Sequence, residues 1–220
     1  MILHNLSDTP SALSHFLCQL RDVSQQGDPG RFRHNLRRVG WVMAHEVSRC
    51  LQYKPTAITT PLACASVEMA QDRLVVATIF RAGLPFHEGF LDILDSAESA
   101  FVSAYRYYTD RECTQVAIRT EYLAAPNLEG KTLIVADPML ATGQSMELSL
   151  QALLTHGTPS HIHLCCVIAA QPGVDYLQQH FSHRNDIHLW CAAIDPQLND
   201  KAYIVPGLGD AGDLAYGVKD

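Results

Sequence analysis

The chain has no long uninterrupted apolar run. No stretch nears the roughly 18 apolar residues of a membrane-spanning helix, so no membrane partner is expected. The opening Met1-Ile2-Leu3-His4-Asn5-Leu6-Ser7-Asp8 carries no basic segment and no apolar core of the kind a signal peptide needs. Positive charge is scarce: 16 Lys and Arg stand against 23 Asp and Glu, a formal net charge of -7. A general attraction to nucleic acid is therefore not expected, and any phosphate site must be local, built from a few Arg side chains and backbone N–H groups. The seven cysteines (Cys18, Cys50, Cys64, Cys113, Cys165, Cys166 and Cys191) are odd in number and include no C-x-x-C. They read as buried thiols of a reducing compartment. The eleven histidines include no H-E-x-x-H and no zinc spacing with cysteine. His161 and His163 would share a strand face, and His156, His180 and His183 fall at helix ends or in loops; solvated or capping roles are expected. These absences together predict a cytoplasmic protein.

What is present is an ordinary globular composition: 220 residues, 47% hydrophobic and 18% charged. That suffices for one well-buried core, and a single domain over 1–220 is expected. Residues 11–23 place Leu13, Phe16, Leu17 and Leu20 on one helical stripe. Gly27-Asp28-Pro29-Gly30 interrupts, and 31–51 resumes with Phe32, Leu36, Val39, Met43 and Val47 at helical spacing. The span 54–66, rich in Thr and Ala, predicts a short extended excursion. The rhythm then changes. Residues 74–80, 100–105, 116–122, 132–136, 161–169 and 187–194 read as strands, and 86–94, 144–154 and 174–181 as helices. This alternation predicts an α/β fold: a mainly parallel sheet flanked by helices, with N-terminal helices and a small C-terminal hood or loop region. Residues 206–217, with Gly207, Gly209, Gly212 and Gly217, read as an ordered functional loop.

The sharpest local feature is a buried strand, 132–136, running into Asp137-Pro138-Met139-Leu140-Ala141-Thr142-Gly143-Gln144-Ser145 and then a helix. A helix N-terminus presents unpaired N–H groups and the positive end of the helix dipole, which suits a phosphate. Small residues let the backbone approach closely, and Thr142 and Ser145 add hydroxyls. A carboxylate at the strand's end, Asp137, is suited to accept hydrogen bonds from sugar hydroxyls, at the sheet edge where open α/β folds bind ligands. A second strand, 74–80, delivers Arg81-Ala82-Gly83 into a turn, a guanidinium beside a small residue. A third strand-like run ends in Ala104-Tyr105-Arg106.

The segment 137–145 resembles the D-P-M-L-A-T-G-G-S loop of uracil phosphoribosyltransferases, with Gln144 where that family usually has glycine. Because position 144 opens a helix, glutamine is expected to be tolerated there. Phe80-Arg81-Ala82-Gly83-Leu84 is similar to the family's L-R-A-G-L loop, and Ala104-Tyr105-Arg106 to its M-Y-R segment. Ala202-Tyr203-Ile204-Val205-Pro206-Gly207-Leu208-Gly209-Asp210-Ala211-Gly212-Asp213 resembles Y-I-I-P-G-L-G-D-A-G-D, the pyrimidine-binding segment. The resemblance implies transfer of a phosphoribosyl group from phosphoribosyl pyrophosphate to uracil, giving UMP and pyrophosphate. It assigns phosphoribosyl pyrophosphate to Arg81, Arg106, residues Asp137 through Ser145, and Asp210. It assigns uracil to backbone groups of Ile204, Gly209, Asp210 and Ala211, and catalysis to Arg81, Arg106 and Asp210. It further implies Mg²⁺ held through the diphosphate and water rather than by protein ligands, a flexible arm over 109–115, self-association, and for some members activation by GTP. Two competing classes are an RNA-binding regulator, disfavoured by the net charge, and a non-catalytic sensor, disfavoured by intact Arg81, Asp137 and Asp210.

Overall fold

The structure is a computed structural model that describes residues 1–108 and 116–218; the side chains of 104–108 and 116–121 also lie outside the described residues. The apolar runs become strands because each is short, rich in β-branched residues and buried on both faces. Those central strands are β4 (Leu74–Ile79), β7 (Thr132–Ala136), β9 (His161–Ala170) and β10 (Ile187–Asp195). Every residue of β4 and β7 is buried. They pair in parallel, β10 with β9, β9 with β7 and β7 with β4. Beyond β4 lie β5 (Glu98–Tyr108), parallel to β4, and β6 (Val116–Ala124), antiparallel to β5.

Side chains alternate along each strand, so each strand feeds two cores. On one face Val76, Ile134, Cys165, Val167 and Trp190 meet α1 (Leu13–Arg21), α2 (Pro29–Ser48) and α3 (Gly83–Ile93). On the other Ala77, Leu133, Val135 and Leu164 meet α4 (Gln144–Leu153) and α5 (Gln171–His180). Helix α2 starts where Asp28 caps it, its side chain accepting the amides of Gly30 and Arg31, with Pro29 in the first turn. The excursion after α2 is a hairpin of β2 (Tyr53–Thr59) and β3 (Cys64–Ala70), paired only with each other and exposed throughout.

The predicted mainly parallel sheet with flanking helices is therefore present, and four local expectations are corrected. The N-terminus forms a strand, β1 (Ile2–Asn5), parallel to the edge of β10, which its mixed composition did not announce. The glycine-rich C-terminal stretch contains a short helix, α6 (Ala211–Tyr216), rather than loop alone. Cys18, Cys50 and Cys64 are exposed, and only Cys165, Cys166 and Cys191 are buried among the described cysteines. His163 is neither solvated nor a cap. It is buried under the sheet, where its Nδ1 accepts the Trp190 indole N–H at 3.1 Å. Burial, and then the neighbouring His188, hold its pKa down to about 3, so it is a neutral acceptor.

Candidate functional site

Strand β7 hands the chain to a turn at the C-terminal edge of the sheet. The Pro138 carbonyl accepts the amides of Val167 and Ile168 at 3.0 and 2.9 Å, which ties the turn to β9. Met139 and Leu140 then form β8 (Met139–Leu140), also on β9. Gly143 ends the turn with φ 84°, and a Cβ there would lie 2.8 Å from Tyr176 Cδ1 and 3.0 Å from the Gly173 carbonyl. Both the dihedral and the space require glycine. Gln144 is the first residue of α4 and not at positive φ, the placement on which its expected tolerance rests. A hollow of about 60 Å³, lined by Ala141, Thr142, Gly143 and Ser145 among others, sits in front of this helix N-terminus.

Behind the turn lies a buried acid that sequence reading did not single out. Glu147, in the first turn of α4, accepts the Tyr176 hydroxyl at 2.5 Å, the Gln151 amide at 2.8 Å and His180 Nε2 at 2.9 Å. The same Tyr176 ring touches Gly143, so α5 braces the phosphate-type turn through this network. Its one local signal was an acid in a helical first turn, which usually marks only a favourable dipole contact.

Asp137 keeps some exposure toward the cavity, but packed protein surrounds it, and among the described residues its carboxylate accepts only the Met139 amide, at 3.4 Å. Burial raises its carboxyl to about 7. Between about pH 4 and pH 7 the folded chain keeps a proton that the unfolded chain has released. Native stability therefore falls as pH rises through that window, and the full penalty is present above it. Replacing Asp137 with Asn should stabilise the fold at pH 8 by about 1–3 kcal/mol, and by nothing near pH 4. Urea unfolding of both chains at the two pH values checks this; equal stability at pH 8 would overturn it.

Strand β4 delivers Arg81 into the opposite part of the site. Its Nη2 donates to Asp213 Oδ1 at 2.9 Å and its Nη1 to the Gly217 carbonyl at 3.2 Å. The Phe80–Arg81 peptide is cis. Gly83 makes a close approach to the sheet. It opens α3, and a Cβ there would collide with the Thr78 hydroxyl and the Ala136 carbonyl, so it serves helix–sheet packing. Arg106 lies on β5 with its backbone paired to Ile118, and its side chain is outside the described residues, as is the whole of 109–115.

The C-terminal segment closes the site. Strand β12 (Ile204–Val205) pairs with β11 (Gln197–Leu198). A cis Val205–Pro206 bond follows, then Gly207 and Gly209 at positive φ. Asp210 caps α6 by accepting the Asp213 amide at 3.0 Å. A Cβ placed on Gly212 would lie 3.1 Å from Arg81 Nη2 and 3.2 Å from Asp210 Oδ1. The start of α6 is thus packed directly on Arg81.

A cavity of about 580 Å³ gathers Arg81, Asp137, Met139, Ala141 and Ser145 with Ile204, Gly209, Asp210 and Ala211. Thr142 and Gly143 line the small hollow, which shares Met139, Ala141 and Ser145 with the cavity. Leu140 lines that hollow too, while Pro138 is buried against β9 and Gln144 lines neither space. Phe80, Ser103 and Tyr203 also face the cavity and were missed, because nothing in their types marks a ligand contact. Asp213 was missed as a partner of Arg81, because no spacing links residues so far apart in the chain. Chemically, the cavity joins a guanidinium, a helix N-terminus, a carboxylate able to take sugar hydroxyls and a run of backbone amides.

A family model described as uracil phosphoribosyltransferase matches residues 7–218. A uracil phosphoribosyltransferase of Porphyromonas gingivalis is 53% identical over 209 residues, covering 95% of each chain. One from Methanothermobacter thermautotrophicus is 39% identical over 192 residues, covering 86% of this chain and 85% of its own. A solved protein from Aquifex aeolicus superposes with a TM-score of 0.85 at 27% identity over 99% of both chains.

Proposed function

Because this chain belongs to the uracil phosphoribosyltransferase family, we propose that its main cavity is the active site for the family's reaction, with each wall serving one part of the substrates. The reaction transfers the phosphoribosyl group of phosphoribosyl pyrophosphate to uracil and yields UMP and pyrophosphate, a pyrimidine-salvage step. The observation that carries the assignment is convergence: Arg81, Asp137, the turn before α4 and the 209–211 backbone come from distant stretches of chain and line one space.

As the C1′–O bond breaks, positive charge develops on the ribose and negative charge on the leaving diphosphate. On this reading the 141–145 turn holds the 5′-phosphate against the α4 N-terminus. Asp137, ionised, accepts the ribose hydroxyls and lies where it offsets charge on the sugar. Arg81, and Arg106 from β5, meet the diphosphate. Backbone groups of Ile204 and 209–211 hold uracil with N1 toward C1′. What the chain contributes is positioning and fixed charge, with no covalent nucleophile.

The donor set fits a Mg²⁺ carried on the diphosphate and its water shell. The cavity offers the separate carboxylates of Asp137 and Asp210, and among the described residues no group of three ligating side chains forms a cage. Asp210 would face that water shell, and the ion, when bound, neutralises diphosphate charge. Self-association and a cytoplasmic setting belong to the same reading. The first is supported by Ile58, Leu62 and Met69 exposed on the β2–β3 hairpin. The second is supported by the absence, among the described residues, of any helix long and apolar enough to cross a membrane. A response to GTP would follow from family membership alone.

The deciding experiment mixes the protein with Mg²⁺, phosphoribosyl pyrophosphate and uracil. UMP and pyrophosphate should appear in equal amounts, and absence of UMP would overturn the assignment.

A further inference from the structure

One buried ion pair lies behind the base loop and outside the cavity. Asp195 is the last residue of β10 and Arg21 the last of α1. Their contact is two-pronged, Arg21 Nη1 to Asp195 Oδ2 and Nη2 to Oδ1, both 2.9 Å. The Asp195 side chain is 8% exposed. Such a pair contributes little net stability when compared with apolar packing of the same volume, so its presence asks for another account.

Both partners also grip one loop residue. Asp195 Oδ2 accepts the Gly207 amide at 2.8 Å, and Arg21 Nη1 donates to the Gly207 carbonyl at 3.3 Å. The next residue is held as well. Gln26, just past α1, donates from Nε2 to the Leu208 carbonyl at 3.2 Å and to the Leu20 carbonyl at 2.9 Å. Gly207 has φ 61°, and a Cβ there would collide with the Ile204 carbonyl, so this point of the loop requires glycine and lies close against Ile204. The amide and carbonyl of Gly207 and the carbonyl of Leu208 are thus engaged from behind, immediately before the backbone that faces the cavity.

We propose that Arg21, Asp195 and Gln26 are positioning residues for base recognition: they fix Gly207 and Leu208 so that the groups of 209–211 stand where the uracil edge requires them. This rests on the assignment of 209–211 to uracil. A reader made of backbone has no side-chain rotamers with which to recover from a displacement, so its support must be rigid. None of the three lines the cavity or the hollow at the phosphate turn, so their effect should fall on one substrate only.

Three variants test this: Asp195→Asn, Arg21→Lys and Gln26→Leu. Asp195→Asn keeps an acceptor for the Gly207 amide but loses the charge. Arg21→Lys keeps the charge but loses the fork. Gln26→Leu leaves the ion pair untouched, so it carries the test if the other two do not fold. Steady-state kinetics should show KM for uracil raised about tenfold or more in the ion-pair variants and less in Gln26→Leu, with KM for phosphoribosyl pyrophosphate within about twofold. Arg21→Ala should be worse than Arg21→Lys. Unchanged uracil KM in the folded variants, or equal rises for both substrates, would overturn the proposal. No UMP from the unaltered chain would overturn the reading of the site as well, whereas UMP from that chain with unaffected variants removes the positioning role alone.

Discussion

Arg81→Ala should lower turnover by about 10²–10³-fold, the size expected when one charged donor to a developing anion is lost. Turnover should suffer more than substrate binding, and the reason lies in what Arg81 does before substrate arrives. Its guanidinium is already paired with Asp213 at 2.9 Å and with the Gly217 carbonyl at 3.2 Å. A diphosphate entering the cavity must share or replace those partners, so the gain in the ground state is modest. In the transition state the diphosphate acquires further charge, and the same donors become worth more. Removing the guanidinium also leaves Asp213, on the first turn of α6, without its ion-pair partner next to the base loop. Arg81→Lys should restore only part of the rate, since an ammonium cannot hold Asp213 and an anion in one planar fork. Steady-state kinetics on both substrates decides the matter. A loss confined to uracil affinity would move Arg81 to another subsite.

How much of this was readable beforehand depends on whether the cause was local. The central strands announced themselves because 74–80, 132–136, 161–169 and 187–194 are short and mostly apolar on both alternating faces, as strands of a sheet covered on both sides are. The turn at 137–145 was readable because an acid, small residues and a helix start follow a buried strand. Helix α6 was not readable, since Gly212 lowers helix propensity and the six residues gain their stability from tertiary contacts such as Ala211 and Ala215 in the core. Strand β1 owes its form to the exposed edge of β10, to which it adds. The starts of α3 and α5 were placed too late by about one turn, because Gly83 read as part of a turn and Pro172-Gly173 interrupt the apolar pattern, whereas a helix accepts such residues in its first turn.

The site shows the same division. Each segment facing the cavity was visible as a motif, but the links between segments were not. Arg81 with Asp213, Glu147 with Tyr176, and Arg21 with Asp195 join residues far apart in sequence, and no spacing encodes them. Sequence therefore displays the groups that face the cavity, while their orientation depends on partners that only the fold brings near. Asp137 is an example within a single residue. Its place at a strand end was legible, but its elevated carboxyl pKa, to about 7, follows from the packing around it.

Base choice is the second large effect, and it follows if the reader is backbone, as proposed. Cytosine should be turned over about 10²–10⁴-fold less efficiently than uracil. Uracil offers a donor at N3 flanked by carbonyl acceptors. Cytosine carries a donor at C4 and an unprotonated N3, the reverse at both positions. A side chain adapts to such a change by rotating, but the backbone groups of 209–211 lie between the braced Gly207 and the capped start of α6 and have no such freedom. Each mismatch then leaves a buried polar group unpaired, at about 1–3 kcal/mol apiece. Orotate should be excluded for a different reason. Its carboxylate would enter beside Asp210 in a cavity whose described cation, Arg81, is already held by Asp213. A halogen at C5 leaves the hydrogen-bonding edge as it is, so 5-fluorouracil should react at a rate near that of uracil. Asp210→Asn should impair catalysis yet keep most of the affinity for uracil, because the proposed assignment gives the side chain to the diphosphate side and the base reading to the backbone. Competition among uracil, 5-fluorouracil, cytosine and orotate, measured as kcat/KM for each, tests the whole argument. Comparable values for cytosine and uracil, or orotate preferred to both, would remove the base from this loop.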